Sequence, residues 1–301
     1  MLDPPVSRVP SPLDRLGRFF ERRSTVPGWV ARRRLDAAAP DDQLLHRQLV
    51  SVIEGRARPD GSIGGAAVPT IDAVTNLLHL GEIGSVGPHL DWILGLANRP
   101  GAFGLGCTAA RHPHRLCEHF LGGFFSPAPP TERAAPVAVP NGKVFRTESH
   151  ARFAVSCLAL AALVRGGRVQ EPPVERHLDS FGYLLEEWDR WDEHLPPDLA
   201  FSALGALGPA PERWRPVTLG LVQVVGQHQL KDGTWPRVDF FHALAGLVAV
   251  PDAATLPLLA RALPGLLNRQ RDDGSFGSVA ADERALIGLE VLLRVGPGAA
   301  V

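Results

Sequence analysis

Gln270-Arg271-Asp272-Asp273-Gly274-Ser275-Phe276 has an earlier echo in Gln229-Leu230-Lys231-Asp232-Gly233-Thr234-Trp235. Both read Gln-x-x-Asp-Gly-(Ser/Thr)-aromatic, and each lies between apolar segments of helical length. A shorter copy, Pro59-Asp60-Gly61-Ser62-Ile63-Gly64, stands far upstream. Asn141-Gly142-Lys143-Val144-Phe145 has the form of another, and Pro100-Gly101-Ala102-Phe103-Gly104 that of a degenerate one. One turn used several times is the mark of a repeat protein.

The turn glycines fall at 61, 101, 142, 233 and 274, so successive copies are 40, 41, 91 and 41 residues apart. The long interval holds one further unit, turning near Arg190. About six units of roughly 40–46 residues follow, each a helix, a turn and a helix. Such a unit cannot bury its apolar face alone and must stack on its neighbours. Segments such as 200–207 and 243–250 are apolar nearly all round, which requires burial on both sides. Helix pairs with one fully buried layer describe a closed double ring, an all-α α/α toroid. The periodic pattern begins near Asp41. Residues 1–40 are therefore expected to form an arm and a short helix packing on the main body. Residues 41–301 then make the toroid, with a proline-rich insertion near 126–141.

The chain has 301 residues, is 45% hydrophobic and 21% charged, and carries a formal net charge of -1. That balance gives no electrostatic case for nucleic acid or an acidic membrane surface. Arg32-Arg33-Arg34 is read as a solvated helix face, and Pro27-Gly28 as a break in the helical pattern. There is no apolar run long enough to span a membrane and no signal-peptide pattern, so the expectation is a cytoplasmic protein without a transmembrane segment. Three cysteines, Cys107, Cys117 and Cys157, argue for a reducing compartment or a metal role.

The Gln-x-x-Asp-Gly-(Ser/Thr)-(Trp/Phe) turns resemble the QW motifs of squalene and terpene cyclases, with similar glycine turns in protein prenyltransferase β subunits. The resemblance covers roughly residues 41–296. It implies the α/α toroid shared by those families and an apolar isoprenoid or lipid-like small molecule in a central cavity. It also implies prenyl transfer or a cyclase-type rearrangement. The acid motif Asp-x-Asp-Asp, the diphosphate motif Asp-Asp-x-x-Asp and the Asp-x-Cys element of the prenyltransferase zinc site are all absent. The alternative is a non-catalytic toroid serving binding or assembly. A thiol-chemistry toroid like the lanthionine cyclases would need a Cys-His-Gly pattern, which Cys117-Glu118-His119 does not reproduce.

Candidate chemistry clusters in three places. Cys107, His112, His114, Cys117 and His119 supply ligand types that zinc prefers, in a spacing that matches no common zinc module. His150 is a further candidate for that site, or a first-turn residue behind a Thr147 cap. Asp192, in the charged turn around Trp188–His194, is a candidate general acid at a cavity mouth. Asp239 and His242 open an inner helix three residues apart, and so share one face. As first-turn acids, Asp239, Asp282 and Glu283 would also favour their helix N-termini.

Overall fold

The computed structural model describes residues 10–97, 133–191 and 196–296. Twelve α-helices lie among the described residues: α1 Pro12–Phe20, α2 Val26–Arg34, α3 Asp42–Glu54, α4 Ala67–Leu80, α5 Gly87–Gly95, α6 Glu148–Arg165, α7 Pro172–Asp189, α8 Pro197–Leu207, α9 Arg215–Gln227, α10 Phe240–Ala249, α11 Leu256–Leu267 and α12 Ala281–Val295. A small antiparallel hairpin, β1 Val137–Ala138 and β2 Val144–Phe145, precedes α6.

The even-numbered helices form an inner ring. Each touches the next, from α2 through α4, α6, α8 and α10 to α12, and α12 returns to α2. The odd-numbered helices pack outside them, α3 against α2 and α4, for example, and α7 against α6 and α8. This is a closed all-α toroid of six helix pairs. Residues expected to lie outside the ring supply two of its members, because α1 packs on α2 and α12, and α2 stands between α12 and α4.

The repeated turns explain how the pairs stack. Asp60, Asp232 and Asp273 each accept, at 2.9 Å, the backbone N–H two residues on. The glycine between runs at φ +86°, +80° and +86° for Gly61, Gly233 and Gly274, a region open chiefly to glycine. A Cβ there would also lie 2.2 Å from the carbonyl oxygen of Pro88, Arg261 or Arg15 respectively. Those acceptors belong to α5, α11 and α1, so each turn seats on the next outer helix. The turn glutamines reach the same helices: Gln229 donates to the Leu258 carbonyl at 2.9 Å and Gln270 to that of Pro12 at 3.0 Å. The last turn thus closes the ring onto α1.

Local signals place the N-terminal pair. Ser11 and Asp14 cap α1 reciprocally. Pro27-Gly28 does not break a helix but lies in the first turn of α2, where a missing N–H costs nothing. Of the arginine run, Arg33 and Arg34 are exposed, as a solvated face requires, and Arg32 is not. Arg32 is 5% exposed, fully paired with Asp42 and bonded to the Phe20 and Arg23 carbonyls. Arg33 lies over the Trp29 ring, and Arg34, itself exposed, pairs with Glu290 at 3.0 Å. Burial is tolerated because one carboxylate and two carbonyls satisfy the guanidinium.

Candidate functional site

The inner helices all begin at one end of the ring, and the hairpin lies across that end. Its turn repeats the Asp-Gly geometry with an asparagine: Lys143 N–H donates to Asn141 Oδ1 at 3.1 Å, and Gly142 has φ +87°. The glycine backs onto Val279 and Ala280, just before α12, rather than onto an outer helix. Arg284 Nε donates to the Asn141 carbonyl at 3.0 Å, and Lys143 pairs with Asp198 at the start of α8. Glu148 fixes the base of the hairpin by accepting from Ala134 and Ala135 N–H, both at 3.0 Å.

His242 stands at the centre of this closed end, buried in the first turn of α10. Its Nε2 lies 3.0 Å from the Asp198 carbonyl, which can only accept, so Nε2 carries the proton. Nδ1 then accepts from Asn141 Nδ2 at 3.1 Å, and the same Nε2–H lies 3.0 Å from Ser202 Oγ. In this tautomer no lone pair on the ring remains free to activate the serine. Burial lowers the His242 pKa and favours the neutral ring. Asp239 caps α10 by accepting the His242 N–H at 2.9 Å, and its own N–H donates to Asp198 Oδ1 at 3.0 Å. The structure therefore brings Asp239 and His242 together at the closed end of the ring.

Above this floor the inner ring encloses a cavity of about 420 Å³ to which all six inner helices contribute. Its waist is apolar and small: Ala154, Leu158, Ala161, Gly205, Ala245 and Leu286 line it, with Phe201 nearby. Cys157 is buried in the same wall, and burial pushes its thiol pKa up.

Two carboxyls face this space from neighbouring sectors, Asp72 on α4 and Glu283 on α12, with α2 between them. Burial pushes Asp72 up to about 6, against the opposing charge of Arg56. Burial pushes Glu283 up to about 7, and the nearby charges of Asp72 and Asp282 add to the effect. Near neutral pH about half of Glu283 is thus the carboxylic acid, with a proton to give.

The far end of the cavity has the opposite character. Arg34, His79, Arg165 and Arg294 line it, with Glu290 as a carboxylate among them. His79 stands at the exposed rim of this end, close to Arg165 and Arg34.

Of the residues singled out in the sequence, Cys107, His112, His114, Cys117, His119 and Asp192 lie outside the described residues. Among the described residues no group of three or more His, Cys, Asp or Glu is arranged to hold a metal. His150 occupies the first turn of α6, behind a Thr147 that makes no side-chain cap bond. Glu283 was readable only as a first-turn acid. Asp72 was missed, although a lone carboxylate inside Thr70-Ile71-Asp72-Ala73-Val74 is a signal in itself, since apolar helix faces rarely carry one.

No protein-family model matches the chain, nor does any curated protein. Among solved structures it is similar to an Asp-to-Asn variant of the type II terpene cyclase MstE from Scytonema, in complex with its substrate geranylgeranyl dihydroxybenzoate. The TM-score is 0.51 at 13% identity, over 94% of this chain and 86% of that one. The chain has a terpene cyclase-like α/α-toroid fold. At this identity the likeness speaks for the ring and not for the chemistry inside it. Among the described residues, no helix of this toroid is long and apolar enough to cross a membrane.

Proposed function

We propose that the central cavity binds an apolar isoprenoid chain and that Glu283, coupled to Asp72, donates the proton that starts a cyclase-type rearrangement. The observation that carries this reading is the pair of carboxyls with raised pKa values on the wall of an apolar cavity. A neutral carboxylic acid beside an alkene, with water excluded, is the arrangement that proton-initiated cyclisation requires. The carboxyl O–H bond breaks as a C–H bond forms at the chain terminus. An internal double bond then attacks the resulting cation. Loss of a proton from the cyclised cation returns the balance, so the product is an isomer of the substrate. Asp239 and His242 hold the closed floor beneath the chain and, in this reading, position rather than react.

The role replaces the missing Asp-x-Asp-Asp motif with acids from two separate helices. It is tested by incubating the protein with farnesyl and geranylgeranyl acetates in D2O. A cyclic product carrying one deuterium at the former chain terminus is expected, and Glu283→Gln should lower its rate at least ~100-fold. Bound but unchanged substrate would instead favour a binding toroid, the reading that the motif absences support. Zinc at the Cys107–His119 stretch stays a proposal carried by ligand type alone. It predicts about one metal per chain by elemental analysis, lost in Cys117→Ala.

A further inference from the structure

We propose that Gly205 determines the specificity of the ring: its missing side chain fits the cavity to an isoprenoid of about fifteen carbons. The inference rests on the cavity reading above and adds the size class of the chain.

Helix α8 is buried all round except at this one position. Ten of its eleven residues are buried, and Gly205 is reached from the cavity. Two other glycines at the seam of α8 and α10 have packing reasons for lacking a side chain. A Cβ on Gly208, just past α8, would lie 2.2 Å from the Ala249 carbonyl oxygen. On Gly246 of α10 it would lie 2.6 Å from that of Phe201. At Gly205 it would meet nothing within 4 Å. Glycine weakens a helix, and here neither a neighbour nor the backbone calls for it. What the missing side chain leaves is room in the cavity wall.

The height of that gap decides what it is for. Ser202, bonded to His242, belongs to the floor, and Gly205 follows it by three residues, about 4.5 Å nearer the mouth. Ala245 follows His242 by three residues on α10, so two small residues line the cavity at one level. The wall as a whole runs from Glu283 to Arg294 on α12, about 16 Å of helix. At roughly 30 Å³ for a carbon-sized group, 420 Å³ holds about 14 of them. Isoprenoid chains grow by five carbons, so fifteen fill the well and twenty leave their last unit beyond the rim. A bulky side chain at position 205 would take up the lower space and hold the chain away from Glu283.

Calorimetric titration of the full-length protein with geraniol, farnesol and geranylgeraniol tests the fit. Farnesol should bind at least about tenfold more tightly than geraniol, because it buries one more isoprene unit. Geranylgeraniol should bind within about threefold of farnesol, its extra unit remaining in water. In Gly205→Leu farnesol should fall to the level of geraniol or below. Gly205→Ala separates size from damage to the fold: it should weaken farnesol yet melt at or above the wild-type temperature, whereas Gly208→Ala should melt lower. A Gly205→Ala protein melting well below wild type would make Gly205 a packing residue and overturn the proposal. So would geranylgeraniol binding tenfold more tightly than farnesol, or Gly205→Leu weakening geraniol and farnesol equally. Each of those results leaves the cavity reading standing. If no alcohol binds, or if Gly205→Leu binds all three as the wild type does, both fail.

Discussion

The two ends of the ring are built on opposite principles. At the closed end the polar groups around His242 are matched donor to acceptor: Asn141, Ser202 and the Asp198 carbonyl surround the ring, and Lys143 neutralises the Asp198 side chain. At the open end the charged groups stand at a solvent-facing rim: Arg34 pairs with Glu290, Arg294 donates to the Val250 carbonyl, and Arg165 is exposed. A matched buried network is what a chain uses to fix a floor. Exposed charges at a rim are satisfied by water and add little to stability. The comparison assigns architecture to the closed end and leaves the open end as the solvent-facing entrance, with the acids between them.

Substitutions at the closed end should therefore damage the fold, and those at the open end should not. The largest loss is expected for Gly274→Ala, where φ is +86° and the new Cβ would meet the Arg15 carbonyl at 2.2 Å. Urea unfolding should show about 3 kcal/mol or more of lost stability, since the ring closes at that turn. His242→Leu comes next. It leaves Asn141 Nδ2 without its acceptor in a buried position, costing on the order of 1–3 kcal/mol.

The acids give an intermediate effect with a definite sign. Glu283 titrates near 4.5 in the unfolded chain and near 7 in the folded one, so between those values the native state holds the extra proton. Stability then falls as pH rises from about 4.5 to about 7, by an amount on the order of 1–3 kcal/mol. Asp72 adds the same trend between 3.8 and about 6. Glu283→Gln should flatten much of the slope, and a slope unchanged in that variant would remove Glu283 as a buried acid. Smallest is Arg165→Met, expected within about 0.5 kcal/mol of wild type or slightly more stable. A loss like that of His242→Leu would mean the open end is structural after all.

The sequence carried the repeat well and the site poorly, for physical reasons. Gly61, Gly233 and Gly274 are conspicuous because a positive φ and a close backbone approach leave no other residue. The short helices α1 and α2 carry no such turn between them, and so read as an appendage although they complete the ring. Asn141-Gly142 was recognisable as a turn, but nothing local told that its glycine would face Val279 at the closed end of the ring. The acids and arginines of the cavity come from α2, α4, α6 and α12. Their partnership depends on ring closure, which no spacing within one helix encodes. Arg32 shows the same limit, since its burial depends on Asp42 of a different helix.

The central claim is that an apolar chain occupies the ring, and Gly205 tests it most directly. It lies in the waist on α8, and a Cβ there would have nothing within 4 Å, so the side chain of Gly205→Leu starts into open space at the cavity wall. Helix propensity should even raise stability by about 0.8 kcal/mol. Calorimetric titration with the best-bound farnesyl compound should show one ligand per chain in the wild type. In Gly205→Leu, with folding intact, binding should be lost. Unchanged affinity in the filled variant would contradict the account, because the ligand would then be bound somewhere other than the ring.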